Sequence, residues 1–467
     1  MIDFDMRERV RIGVTGLNSA GKTVFLTALI HALRQRGAIA GVSVVREGRL
    51  KGVERLPMAS DDTAASFPYD ANADALTGAD GDPRWPPSTD RVAKAVLALR
   101  YRSGNQILRH LGDRALRVEL VDYPGEWLLD VLLAQHDFAA WSRAVFQEME
   151  SPEAGPEAKA FLAYVNDLDQ DSTADVEEKA RTAAELFRTY VRARRDATGR
   201  ANRLHPGRFI LPGPGMDVTM PALTFAPLPP RPSAAGGFGG LSRLRGLAGP
   251  RTLGRIMAAR FDSYRETIVR PFFERTQARL DRQVVLIDLL GHLARDGAGV
   301  PLLDGELRDL QEAMRIGRTW LPRWLLPTID RVLYASTKAD LVPADQHDVL
   351  LERMRKAVAN ASESARFRGA DTRVMTLAAL AATRDVSARD RPDRGYVAGR
   401  HADGNAYMHY PGELDRARPP VDASGSLAVA PFEIERFQPP AGLGRNESWP
   451  HRRLDGAIEY LIGDRLS

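Results

Sequence analysis

The sequence predicts an α/β fold: a mostly parallel, doubly wound sheet with a large α-helical insertion and a C-terminal extension. Three observations predict it. Arg9–Thr15 is a short β-rich run that ends at a glycine loop, and helical spacing follows through Val24, Leu26, Leu29, Ile30 and Leu33. Three apolar runs, Val284–Asp288, Val332–Ala335 and Arg373–Leu377, alternate with helical segments near 307–316 and 346–361. A continuous apolar run is what a strand buried on both faces requires. Finally, long helical patterns between Trp127 and Leu280 interrupt this alternation.

The elements follow in order. After the first strand and helix, 40–90 reads as irregular, with turn residues at Asp61-Asp62, Gly78, Gly81-Asp82-Pro83 and Pro86-Pro87. Two strands are expected at Arg91–Tyr101 and Leu116–Val121, the second ending in Asp122-Tyr123-Pro124-Gly125. Helical spacing occupies Trp127–Arg195, then a Pro/Gly-rich loop at 206–250, then helix again over Leu253–Leu280. The tail from Thr383 is rich in Arg, Asp, Gly and Pro. It carries one short alternating β run, Ala428–Phe437, and a closing helix at Leu454–Leu466. The expected division is a core domain in two parts, 1–127 and 281–382, a mainly helical insert at 128–280, and an extension at 383–467.

Composition narrows the function. A chain of 467 residues suits two or three domains, and 44% apolar with 27% charged residues is ordinary for a soluble globular protein. A formal charge of +4 is too mild for a dedicated nucleic-acid binder, so none is predicted. The absence of cysteine excludes disulfides, thiol catalysis and cysteine-ligated zinc, and fits a cytoplasmic location. Met1–Asp5 lacks an apolar signal core, and no run of about 18 apolar residues reads as a membrane span. No HExxH spacing occurs.

Gly16-Leu17-Asn18-Ser19-Ala20-Gly21-Lys22-Thr23 matches the phosphate-binding Walker A pattern in full. Its strand–loop–helix context makes the core a P-loop NTPase domain. Glycines let backbone N–H groups turn onto phosphate oxygens, and the helix points its positive end at them. Asn18, Ser19, Ala20, Gly21, Lys22, Thr23 and Val24 are the candidate phosphate-binding residues. Lys22 neutralises phosphate charge and Thr23 offers a hydroxyl to Mg²⁺. Asp122 closes an apolar strand, where an aspartate holds Mg²⁺ through water, and the Gly125 N–H can sense a γ-phosphate. Asp288 also ends an apolar strand but has no glycine at the required offset, and is the competitor for that role. Thr337-Lys338-Ala339-Asp340 fits the guanine-specificity pattern [NT]KxD. A buried carboxylate at Asp340 accepts both N1–H and the exocyclic N–H of guanine. Lys338 would lie over the base, and the Thr337 hydroxyl would tie loops together.

With these motifs in order, the core is a G domain. The chain resembles the translation-factor-related GTPases generally. More closely it is similar to the YcjX-like family of bacterial P-loop proteins, associated with the phage-shock stress response. Gly16–Thr23, Trp85-Pro86-Pro87-Ser88-Thr89, Val121–Trp127, Asp281–Asp288 and Thr337–Asp340 carry that likeness, the Asp-Tyr-Pro-Gly-Glu-Trp and Asp-Arg-Gln strings most specifically. It implies a GTP/GDP-binding domain with a helical insertion. Thr89 is the expected switch residue before the second strand, reaching Mg²⁺ and γ-phosphate. Glu126 stands where many small GTPases place a water-orienting glutamine, so the expected hydrolysis is slow. Dynamin-like GTPases also carry serine at the position of Ser19. Backbone N–H groups of Ala378 and Ala379 are the candidates to meet the guanine O6.

The expected function is a cytoplasmic GTP-binding switch using GTP/GDP and Mg²⁺, with Lys22, Thr89, Gly125 and Glu126 at the reaction centre. Leu241–Phe261 mixes Arg243, Arg245, Arg251, Arg255 and Arg260 with apolar residues, the pattern of a weak peripheral contact with the inner membrane or of a docking face. Two alternatives stay open. One is an ATP-using P-loop enzyme. The other is a non-hydrolysing scaffold whose insert and tail bind a membrane-associated protein partner.

Overall fold

A computed structural model describes residues 8–16, 20–35, 37–58, 64–87, 91–105, 110, 112–198, 202–213, 215–231, 250–294, 305–313, 329–388, 391–414 and 432–467. The described residues fall into two compact units, one of 1–124, 279–308 and 327–467, the other of 125–278 and 309–326.

The first unit is built on an eight-stranded sheet. Its strands are β1 (Glu8–Gly16), β2 (Leu50–Leu56), β3 (Ala65–Ser66), β4 (Ala93–Tyr101), β5 (Arg114–Asp122), β6 (Arg282–Ile287), β7 (Arg331–Ser336) and β8 (Asp371–Thr376). The order is β2-β4-β5-β1-β6-β7-β8, with β3 beside β4. From β5 to β8 all neighbours are parallel. The β2–β4 and β4–β5 pairs are antiparallel. The fold is therefore the mixed α/β arrangement expected, with a mostly parallel sheet. Strand β6 is buried along its whole length, which is why Val284–Ile287 read as a continuous apolar run.

Two local expectations are corrected. The stretch 40–90 is not irregular: it holds β2, β3 and the helix Tyr69–Thr77. Strand β2 (Leu-Lys-Gly-Val-Glu-Arg-Leu) lies at the sheet edge and is mostly exposed or half-buried. An edge strand needs charge rather than a buried face, so its alternation is lost. In the tail, 432–437 forms no strand, and 428–431 lies outside the described residues. The tail's strands are instead β9 (Thr383–Ala388), β10 (Arg391–Arg400) and β11 (Ala406–His409), an antiparallel sheet of order β11-β10-β9.

The closing helix, Leu454–Ile462, buries Leu454, Ala457, Ile458, Tyr460, Leu461 and Ile462 in the core of this unit. The fully buried Arg282 on β6 fastens it there. Its guanidinium donates to the Leu461 carbonyl and pairs with Asp464 at 2.6 Å and Asp330 at 3.1 Å.

The second unit is helical. Phe138–Met149, Gly155–Asn166 and Val176–Thr198 enclose an aromatic core with the segment from Leu253 to Arg275. Trp141 stacks on Phe261 at 4.7 Å and meets Phe187 and Phe225 edge-on. Leu253–Arg275 contains a π-helical stretch, Tyr264–Val269. Of the basic face expected at 241–261, residues 241–249 lie outside the description. Arg260 is buried and pairs with Glu177, and Arg251 lies 3.7 Å from the same carboxylate.

Candidate functional site

Parallel strands end on one side of their sheet, and in open α/β sheets ligands bind beyond the carboxyl ends. Gly16 ends β1, Asp122 ends β5, Asp288 follows β6, Thr337–Asp340 follows β7 and Leu377–Ala379 follows β8. All the predicted nucleotide elements of this unit that are described therefore share one edge.

At the centre, β1 runs into the loop before the helix Lys22–Gln35. Leu17, Asn18 and Ser19 lie outside the described residues. A Cβ at Gly16 would come within 2.9 Å of the Leu286 carbonyl oxygen and 3.0 Å of the Ala20 Cβ, so the strand exit admits only glycine. Gly21 sits at φ +77°, a left-handed conformation that favours glycine. The helix is fixed beneath the loop by buried Phe25, Leu26, Leu29, Ile30 and Leu33, with Val24 packed against the same core. Lys22 Nζ donates to the Gly16 carbonyl at 3.0 Å, turning the ammonium back to the end of β1. Thr23 Oγ1 donates to the Pro87 carbonyl at 3.3 Å. That contact brings the segment 83–87 to the start of the helix. Ser88 and Thr89 follow directly but are outside the described residues.

Asp122 is 2% exposed and in register with Val14 on β1 and Ala93 on β4. Tyr123 is fully buried, and its hydroxyl accepts from Gln283 Nε2 at 2.9 Å. Polar residues in a strand buried on both faces were the sequence signal for this contact. Just before β6, the Asp281 carboxylate accepts the Arg11 backbone N–H at 2.7 Å.

Gly125 and Glu126 open the helix Gly125–Leu129 of the second unit. Glu126 is 6% exposed and accepts from Arg195 Nη2 at 3.0 Å. Trp127 donates to the Leu211 carbonyl at 2.8 Å, and the Arg208 guanidinium lies over its ring at 3.4 Å. The residues after Gly125 are thus built into the helical unit.

On the base side, Thr337 donates through both N–H and hydroxyl to the Ile287 carbonyl, at 2.9 and 3.3 Å. Lys338 adopts φ +59° and its Nζ pairs with Asp288 Oδ2 at 2.6 Å. Asp340 stands on the turn Ala339–Leu341, is 3% exposed, and accepts from the Ala382 N–H at 2.7 Å. Burial raises its carboxyl pKa, opposed by backbone N–H donors. The Ala378 N–H already donates to the Arg452 carbonyl at 3.1 Å. Sequence reasoning did not foresee two attachments of the C-terminal extension here: that Arg452 contact, and the Trp85 indole N–H donating to the Phe437 carbonyl at 2.8 Å.

Among the described residues no group of three or more His, Cys, Asp or Glu side chains is placed to hold a metal ion. Likewise, no described helix is long and apolar enough to cross a membrane.

Comparison with known proteins adds three findings. The family model described as YcjX-like family, DUF463, matches residues 10–466. A protein of Escherichia coli (strain K12) named Ras-like GTPase YcjX is 34% identical over 475 residues, spanning 100% of this chain and 98% of its own length. The protein of the same name from Shewanella oneidensis is 31% identical over 474 residues, covering 98% of this chain and 94% of its own.

Proposed function

This chain belongs to the YcjX-like family, and we propose that it binds GTP and GDP with Mg²⁺ and hydrolyses GTP slowly, as a nucleotide-dependent switch. One observation carries the reading: Gly16, Ala20–Thr23, Asp122 and Thr337–Asp340 lie along the same carboxyl edge of one sheet, in the order a guanine-nucleotide site needs. The relatives' name, Ras-like GTPase, supports it. Its setting in a bacterial stress response rests on the family likeness.

Each residue has a stated part. Backbone N–H groups of 18–24 would receive phosphate oxygens at the helix N-terminus. Lys22, whose ammonium is held at the end of β1 by the Gly16 carbonyl, would meet the β- and γ-phosphates. Thr23 and Asp122 offer the hard oxygen donors that Mg²⁺ takes, the remaining ligands being phosphate oxygens and water. Mg²⁺ would neutralise phosphate charge there, with Thr89 added when GTP orders its loop. Asp340 would accept two guanine N–H groups. Each carboxylate oxygen has two lone pairs, so the bond from Ala382 leaves acceptor positions over. Because the Ala378 N–H is engaged by Arg452, the guanine O6 is assigned to Ala379. Gly125 would sense the γ-phosphate. Slow turnover is supported by Glu126, whose carboxylate is paired with Arg195 and therefore poorly suited to orient water.

Calorimetric titration with GTP, GDP and ATP, with and without Mg²⁺, tests the reading. GTP and GDP should bind with Mg²⁺-enhanced affinity and ATP should not compete. Equal binding of ATP would favour the alternative of an ATP-using enzyme. Fast single-turnover hydrolysis by the isolated protein would contradict the slow switch.

A further inference from the structure

We propose that Asp288 is a specificity-positioning residue: its carboxylate fixes the Lys338 ammonium beside the base-reading Asp340, and guanine-nucleotide affinity depends on that pair. The inference rests on the guanine reading above and deepens it.

Asp288 follows β6 at the same carboxyl edge. Its two oxygens do different jobs. Oδ1 accepts the Gly291 N–H at 3.0 Å and caps the helix Leu289–Leu293. Oδ2 accepts Lys338 Nζ at 2.6 Å. These two bonds hold the carboxylate against the first turn of that helix, where a Cβ at Gly291 would come within 2.7 Å of Oδ2. Its side chain is 9% exposed and that of Lys338 35%, so water screens the pair only in part. Next door, both Thr337 donors are stitched to the Ile287 carbonyl, so the backbone leading into Lys338 is fixed to the strand that carries Asp288.

The physical consequence concerns entropy. A free lysine side chain loses rotamer freedom when ordered. Lys338 is ordered in advance by Asp288, from a left-handed backbone at φ +59° that aims it away from the ordinary helical or extended direction. A base arriving at Asp340, two residues on, therefore meets a lysine stem already placed and does not bear that cost. The capping bond alone would make Asp288 a structural residue. The second oxygen, on a lysine of the specificity motif, gives it the further role.

The test uses the full chain with Mg²⁺. GDP and ADP are titrated into wild type, Asp288→Asn, Lys338→Ala and the double variant, with melting curves alongside. Asparagine keeps a capping oxygen for Gly291 but has no charge and turns a donor toward the ammonium. Asp288→Asn should weaken GDP about tenfold with ADP binding and melting unchanged, and the double variant should bind GDP no more weakly than Lys338→Ala. If Asp288→Asn lowers melting, Asp288→Ser, which also caps, decides by the same criterion. Wild-type GDP affinity in the charge-removing variants, or additive losses in the double variant, would overturn the proposal. Equal GDP and ADP binding by wild type would instead reject the guanine reading itself.

Discussion

At the scale of single residues, the site depends on atoms that are absent as much as on those present. Gly16 leaves β1 with no space for a Cβ against the Leu286 carbonyl and Ala20. Its neighbours are backbone and a buried methyl group, neither of which can swing away. Gly16→Ala should therefore cost about 1–3 kcal/mol of stability by overpacking and abolish GDP binding at micromolar nucleotide, measured by melting and titration. Full binding by that variant would mean that the loop takes another path. Residues of this kind were legible from the sequence because backbone chemistry dictates them: a phosphate loop needs glycines at set intervals. Asp122 was legible as a carboxylate at a strand end, and Asp340 as the last residue of the four-residue motif that follows β7. The Lys338–Asp288 pair was not, since 50 positions separate its members and only the β6–β7 pairing brings them together.

At the scale of elements, periodicity identified whatever buries a face. The strands Arg282–Ile287 and Arg331–Ser336 and the helix Lys22–Gln35 were legible for that reason. Strands β2 and β9–β11 were not: described positions along them are largely exposed or half-buried, and a strand without a buried face leaves no alternation to read. The π-helical stretch Tyr264–Val269 left no signal either, although it carries a buried polar knot. Asp130, 1% exposed, accepts Tyr264 O–H at 2.6 Å and the Gly207 N–H at 2.5 Å. Desolvation raises its carboxyl pKa to about 7, the two hydrogen bonds and Arg208 opposing it. In the folded state the proton is held up to that pH, whereas the unfolded chain releases it near 4. The folded state thus binds more protons between those values, and this group's contribution to stability falls as pH rises from about 4 through about 7. Asp130→Asn keeps an acceptor for Gly207, and its amide can donate to the Tyr264 hydroxyl. Melting of that variant should vary less with pH between 5 and 8 than melting of wild type. An unchanged pH profile would count against the assignment.

At the scale of the whole molecule, the C-terminal extension is an integral part of the first unit. Its closing helix fills the core, and Arg452 and the Phe437 carbonyl reach the base loop and Trp85. Arg282 is the anchor, a buried guanidinium shared by Asp330, Asp464 and a helix carbonyl. Arg282→Met removes the cation and leaves two half-exposed carboxylates behind. The expected loss is about 2–4 kcal/mol, seen as a lowered melting temperature, while GDP affinity of the folded protein stays within about twofold. Wild-type melting would show that the helix is held by its apolar face alone. The order of the motifs was readable without any of this, because local chemistry fixes each one. The closure of the core by residues near its far end was not, since it depends on packing across about 180 positions.

The central claim is that Asp340 reads guanine, and exchanging one atom tests it most directly. Asparagine at 340 keeps an oxygen to accept N1–H and the Ala382 N–H, and replaces the other acceptor with a donor. Xanthine carries a carbonyl where guanine carries the exocyclic amine, so the altered side chain suits it. Titration of GDP and XDP into wild type and Asp340→Asn should show wild type preferring GDP. The variant should lose GDP affinity by about 10–100-fold and gain XDP. Unchanged GDP affinity in the variant, with no gain for XDP, would contradict the account.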